Sequence, residues 1–155
     1  MASNATIDFD VFISYQWDSD AHIASLLKNL SDKFIDARRD KENLKSNNDG
    51  LFKQLGEQIK RARVFLCCLT KKYTQSANCL REINFAAKIG KPIIYLMIEK
   101  MNVQELETEV AFIMGNSVYV HCYKHPGTWF DLDIEEICNN IKNQLDVKLK
   151  FNMQL

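Results

Sequence analysis

Apolar positions along the chain follow two rhythms in turn. Asp10-Val11-Phe12-Ile13-Ser14 is a short apolar run and predicts a first strand. Ile23, Leu26, Leu27, Leu30 and Phe34 then recur at three- and four-residue intervals, the spacing of one helical face. Phe34-Ile35-Asp36 predicts a short second strand, and Leu51, Leu55, Ile59 and Ala62 a second helix. Residues 64–69, Val-Phe-Leu-Cys-Cys-Leu, predict a third strand. Ser76 is a favourable N-cap for a helix with Cys79, Leu80, Ile83, Ala86 and Ala87 on its inward stripe and Gly90 at its close. Residues 93–98 predict a fourth strand, and Val103, Leu106, Val110 and Ile113 a helix. Residues 118–121 predict a fifth strand, and Ile134, Ile137, Cys138, Ile141 and Leu145 a last helix.

Strands that alternate with helices imply a parallel sheet with helices on both faces. The expected fold is therefore α/β, a flavodoxin-like three-layer arrangement with a five-stranded parallel sheet in the order 2-1-3-4-5. The third and fourth strands are apolar throughout, which suits the sheet centre. The polar stretch from Ala37 to Gly50 is expected to form a long loop of the kind that tends to carry function. One domain is expected over residues 8–149. Residues 1–7 read as a tag remnant or flexible N-terminus, because Ser3-Asn4-Ala5 has the look of a cloning scar, and 150–155 as a flexible tail.

Composition narrows the partners. The 155 residues hold 20 basic and 20 acidic side chains, so no overall field selects nucleic acid or an anionic membrane. No apolar run is long enough to span a bilayer, and the residues before the first strand are not expected to act as a signal peptide. The five cysteines follow no disulfide spacing; Cys67 and Cys68 are adjacent in a strand and so face opposite ways. Reduced core thiols in the cytosol are the expected reading. His121, Cys122 and His125 lack a fourth ligand, and no metal or cofactor is expected.

Open α/β sheets bind ligands beyond the carboxyl ends of their strands, where strand order reverses. In the order 2-1-3-4-5 this point lies between strands one and three. Tyr15, Gln16, Trp17 and Asp18 follow strand one, and Thr70-Lys71-Lys72-Tyr73 follow strand three and lead to the helix that carries Glu82. Spacing leaves two readings of Glu82 open, a carboxylate in the cleft or a solvated helix glutamate. Several occupants of such folds are excluded. A receiver domain needs an aspartate after strand three, where Leu69-Thr70 stands. A dinucleotide fold of the Rossmann type needs Gly-x-Gly-x-x-Gly after strand one, and none of the five glycines builds a phosphate loop. Gln16-Trp17 also replaces the small hydroxyl-rich loop of a flavodoxin.

On these residues the chain resembles the Toll/interleukin-1 receptor (TIR) domain family. Asp8-Phe9-Asp10-Val11-Phe12-Ile13-Ser14-Tyr15 is similar to the family's opening box. Phe34-Ile35-Asp36 stands where the family places an aromatic-x-Asp, and Ser76-x-x-Cys79-x-x-Glu82 resembles the box with the glutamate of NAD-cleaving members. Tyr15-Gln16-Trp17-Asp18 and Trp129-Phe130 resemble a branch found in invertebrate and other eukaryotic proteins. The likeness runs from Asp8 to Leu145.

The resemblance implies an NAD glycohydrolase, cytoplasmic, that acts in innate immune or cell-death signalling. Glu82 would be the catalytic carboxylate. NAD would be the substrate, cleaved to nicotinamide and ADP-ribose or a cyclic ADP-ribose. Tyr15, Gln16, Trp17, Asp36, Phe52 and Cys79 would surround it, with Tyr15 and Asp36 as loop anchors and Cys79 as packing at the helix start. Lys45, Arg38 or Arg39 would supply charge that family members carry after the first box. The same resemblance implies a second reading, a non-enzymatic adaptor that self-associates or binds other TIR domains, with Lys45 and Asp49 of the long loop in the interface. Neither reading calls for nucleic acid or for membrane contact by this domain.

Overall fold

The computed structural model describes residues 9–16, 20–39, 48–102, 106, 108–115, 118–124 and 133–153. Five strands are β1 (Phe9–Ser14), β2 (Ala37–Arg39), β3 (Ala62–Leu69), β4 (Ile93–Met97) and β5 (Val118–Val120). They form one sheet in the order β2-β1-β3-β4-β5, and every neighbouring pair is parallel. The helices are α1 (Asp20–Asp32), α2 (Asn48–Arg61), α3 (Lys71–Gln75), α4 (Ala77–Lys88), α5 (Thr108–Met114) and α6 (Ile134–Met153), with a 3-10 turn at Cys122–Lys124. The expected three-layer fold and strand order are those observed.

The alternation of side chains along each strand divides the core in two. Val11, Ile13 and Tyr15 join Val64, Leu66 and Cys68 against Ile23, Leu26 and Leu30 of α1 and Ile137, Cys138 and Ile141 of α6. Phe12 joins Phe65, Cys67 and Leu69 against Leu55 and Ile59 of α2, Ile83 and Ala86 of α4, and Val110 and Met114 of α5. Cys67 and Cys68 thus serve opposite faces, as expected, and all five cysteines are buried free thiols. Phe12 and Phe65 stack at 5.7 Å across β1 and β3, at the centre of the second cluster.

The second strand differs from its expected place. It begins at Ala37, three residues later than the first expected position. Phe34 is not on the inward stripe of α1 either: it lies beyond the helix end, at φ 63°, and is 96% exposed. The hydrogen bonds explain this. Phe34 N–H donates to the Ser31 carbonyl and Ile35 N–H to the Leu30 carbonyl, each at 3.0 Å. That pair is a Schellman C-cap, which requires a left-handed residue at the position Phe34 fills. Ile35 turns back and is buried at 4% exposure. The same cap ends α4, where Gly90 takes φ 74° and Lys91 N–H reaches the Ala86 carbonyl at 2.9 Å. Here the glycine was expected, and it is the residue this conformation favours.

Other boundaries move less. Ala62 starts β3 instead of ending α2, β4 ends at Met97, and β5 ends at Val120. The fourth expected helix is the short α5, which starts at Thr108; Val103 lies outside the described residues. The polar stretch after Asp36 is not one long loop, because β2 and the start of α2 occupy its two ends. The last helix runs to Met153, into the segment expected as a tail. Residues 1–7 lie outside the described residues. Among the described residues no helix is long and apolar enough to cross a membrane, and no cluster of three metal-binding side chains occurs.

Candidate active site

Strand parity sends Ser14, two residues after Phe12, to the face that α2 and α4 cover. There it meets Glu82 in the second turn of α4. Ser14 Oγ donates to Glu82 Oε2 at 2.5 Å, and both residues are buried, at 0% and 5% exposure. Glu82 is therefore not a solvated helix glutamate. An inward carboxylate needs donors to offset lost hydration, and the Ser14 hydroxyl is one.

A third residue completes the cluster. Tyr73 Oη lies 2.7 Å from Ser14 Oγ. Tyr73 comes from α3, a single turn that the apolar pattern did not predict. The Thr70 side chain caps α3 by accepting from Tyr73 N–H at 3.0 Å, which fixes the ring's position. Tyr73 is fully buried, and burial pushes its phenol well above the ordinary tyrosine range, with Cys67 and Glu82 adding to the rise. At neutral pH it is a proton donor. Cys67 on β3 is raised too, chiefly by burial, so this thiol beneath the site is neutral.

The next residues are held by main-chain contacts. Ser76 caps α4 by accepting from Cys79 N–H at 3.3 Å. The Cys79 thiol donates to the Tyr15 carbonyl at 3.6 Å, and ties the start of α4 to the end of β1. Cys79 is 5% exposed and inside the apolar cluster, as core packing requires. Tyr15 reaches the site with its carbonyl, while its side chain belongs to the core on the opposite face of the sheet.

Asp36 is not part of this cluster. Its N–H donates to Asp10 Oδ2 at 2.9 Å and its carbonyl accepts from Asp10 and Val11, at the beginning of β1. From Asp10 to Ser14 is four residues of strand, roughly 13 Å. Asp36 thus anchors the entry of the edge strand, at the end of the sheet away from Glu82. Arg38 pairs with Asp36 Oδ2 at 3.4 Å and lies 4.7 Å above the Phe9 ring, also at that end. Gln16 lies two residues past the end of β1 and is half-buried. Trp17, Lys45 and the Phe52 and Asp49 side chains lie outside the described residues.

A pocket of about 300 Å³ opens between α2 and α4. Leu55, Gly56, Ile59, Arg81, Glu82 and Phe85 line it. The absent side chain of Gly56 makes the room: a Cβ there would stand 3.7 Å from the Phe85 ring. The lining is apolar apart from Arg81 and Glu82, the usual character of a small-molecule site with a few polar groups that orient the ligand. Sequence reasoning missed Ser14 and Tyr73. The parity of Ser14 with Phe12 was a signal for the first; for Tyr73 the only signal was its place in the segment that follows strand three at the reversal point.

No curated protein matches the chain. Among solved structures, the TIR domain of the Toll-related receptor TRR-2 from Hydra magnipapillata is similar with a TM-score of 0.66 and 13% identity, over 87% of this chain and 99% of that one. A metazoan TIR-STING receptor from C. gigas, solved in complex with 2',3'-cGAMP, is similar with a TM-score of 0.60 and 12% identity. That likeness covers 91% of this chain and 41% of the receptor, so the chain spans less than half of it. At these identities the likeness is one of fold. The sequence model of the TIR domain matches residues 11–138, from within β1 to within α6. With that match and the sheet order in agreement, the chain belongs to the TIR domain family.

Proposed function

We propose that this TIR domain is an NAD glycohydrolase with Glu82 as its catalytic residue. The observation that carries the reading is the buried Glu82 carboxylate, held by Ser14 and lining an apolar pocket. In the proposed reaction the bond between nicotinamide nitrogen and ribose C1′ breaks, and its electron pair leaves with nicotinamide. The leaving group is cationic before cleavage and neutral after it, so no general acid has to protonate it. Positive charge builds at C1′, and an oriented carboxylate in a desolvated site opposes that charge. Water then attacks C1′ and loses a proton to give ADP-ribose, or a nitrogen of the same molecule's adenine attacks to give a cyclic product.

The pocket supports one end of such a substrate. Leu55, Ile59 and Phe85 suit a flat ring, and Arg81 supplies positive charge at the same wall as Glu82. Innate immune or cell-death signalling is the proposed setting, with self-association or contact with other TIR domains as its means. A purely scaffolding TIR domain is the other reading, and the same fold serves it. The buried carboxylate favours the enzyme, because a surface interface has no use for an acid beneath the surface. Nicotinamide release from NAD by the wild type, and its loss in Glu82→Gln, tests the proposal. A folded, assembled wild type that leaves NAD intact selects the scaffold.

A further inference from the structure

We propose that Ser14 and Tyr73 are positioning residues that hold the Glu82 carboxylate through a reversible chain of hydrogen bonds. The proposal rests on the reading of Glu82 as the catalytic group and names the two hydroxyls that fit it for that task.

Each hydroxyl carries one hydrogen, and this fixes the direction of the chain. Ser14 spends its hydrogen on Glu82 Oε2 at 2.5 Å. The 2.7 Å contact between Ser14 Oγ and Tyr73 Oη therefore has Tyr73 as donor. Tyr73 Oη also lies 3.4 Å from the Cys79 carbonyl, a longer and weaker alternative for the same hydrogen. With Glu82 ionised, the chain runs from Tyr73 through Ser14 to the carboxylate. When Glu82 takes up a proton the order reverses: Glu82 donates to Ser14, Ser14 to Tyr73, and Tyr73 to the Cys79 carbonyl. Both ends have an acceptor, so neither state leaves a buried hydroxyl hydrogen unsatisfied.

A serine hydroxyl alone rotates freely and makes a poor anchor. Tyr73 removes that freedom. Its ring is fully buried, its helix is capped by Thr70, and its phenol remains protonated at neutral pH. The chain thus favours an ionised, fixed carboxylate before substrate arrives, the form that must face a developing cation. Ser14 uses one lone pair of a group that can accept about four hydrogen bonds. Among the described residues, the titratable groups gathered around the cluster are Cys67 on β3, Tyr73 on α3 and Cys79 on α4, and Arg81 adjoins Glu82 on the pocket wall.

The test follows the Glu82 carboxyl carbon by NMR against pH, in protein labelled with carbon-13 at glutamate and assigned with Glu82→Gln. Tyr73→Phe is nearly isosteric and removes only the hydroxyl; Ser14→Ala removes the donor itself. The midpoint is expected to move to higher pH in both variants, by about fivefold tighter proton binding in Tyr73→Phe and at least as much in Ser14→Ala. Should Ser14→Ala not fold, Tyr73→Phe decides by itself. A Tyr73→Phe midpoint equal to the wild type overturns the proposal. The titration is independent of turnover: a shifted midpoint with NAD left intact by the wild type retires the glycohydrolase and keeps the chain, and NAD cleavage with an unmoved midpoint does the reverse. In an active enzyme Tyr73→Phe is expected to lower kcat with little change in KM, and a rise in KM alone counts against a positioning role.

Discussion

Ser14 at the end of β1 and Glu82 in the second turn of α4 are 68 residues apart in sequence, and their side chains meet at 2.5 Å. The contact joins the two segments that the sheet's strand order brings to its reversal point. It also turns an ordinary helix glutamate into a buried, oriented acid.

The pocket owes its space to a glycine inside a helix. Gly56 sits in α2, and a Cβ there would meet the Phe85 ring at 3.7 and 3.8 Å, ordinary contact distances. Gly56→Ala is expected to stabilise the fold by about 0.5–1 kcal/mol, because alanine loses less backbone freedom in a helix. The thermal midpoint should rise by about 1–4 °C. The larger Gly56→Leu would fill the pocket and is expected to raise KM for NAD without unfolding the domain. A Gly56→Leu enzyme with unchanged KM places the substrate elsewhere.

Phe34 is the second backbone prediction. It takes φ 63° at the cap of α1, with its ring 96% exposed, so its strain has no packing gain beside it. A non-glycine residue there costs about 1–2 kcal/mol. Phe34→Gly is expected to stabilise the domain by about 1 kcal/mol, read as a higher midpoint in urea, as Gly90 already does at the matching position of α4. Phe34→Val, with a β-branched residue in the same conformation, should lower it.

Much of the architecture was legible because it follows from periodicity. The succession of strands and helices, the two-faced core and the Gly90 cap come from apolar spacing and one glycine, and the sheet order from the flavodoxin-like arrangement that such alternation suggests. The second strand was misplaced for a physical reason. Phe34 and Ile35 look like strand residues, yet a helix cap uses both, and two of the three residues of the true edge strand, Ala37–Arg39, are arginines. Glu82 was legible as a candidate, but its burial was not, since burial depends on partners 68 and 9 residues away in sequence. Tyr73 was hidden in a five-residue helix too short to show a period. Asp36 was grouped with the site by its motif, while its hydrogen bonds place it at the other end of the strand.

Stability should be lost in alkali. Burial raises the thiols of Cys67, Cys68 and Cys122, the last from 9.0 to about 12. In the unfolded chain these thiols release protons near pH 9, while in the fold they keep them. The favourable contribution is therefore complete below about pH 9 and falls as pH rises from there, for Cys122 up to about 12. Urea unfolding at pH 7, 9.5 and 10.5 should show a loss that approaches about 1.4 kcal/mol per pH unit for each buried thiol. Cys122→Ala should have a shallower slope than the wild type. Unfolding free energies that stay level to pH 10.5 would mean the thiols are not held neutral.

The central claim is that the carboxylate held by Ser14 is the group that cleaves NAD. The most direct measurement is nicotinamide released from NAD by concentrated, assembled protein, wild type beside Glu82→Gln, with circular dichroism to show both are folded. The account predicts steady release by the wild type and at least about a hundredfold loss in Glu82→Gln, the scale of removing a main electrostatic contributor. Equal release by the two proteins, or none by a folded and assembled wild type, would contradict it.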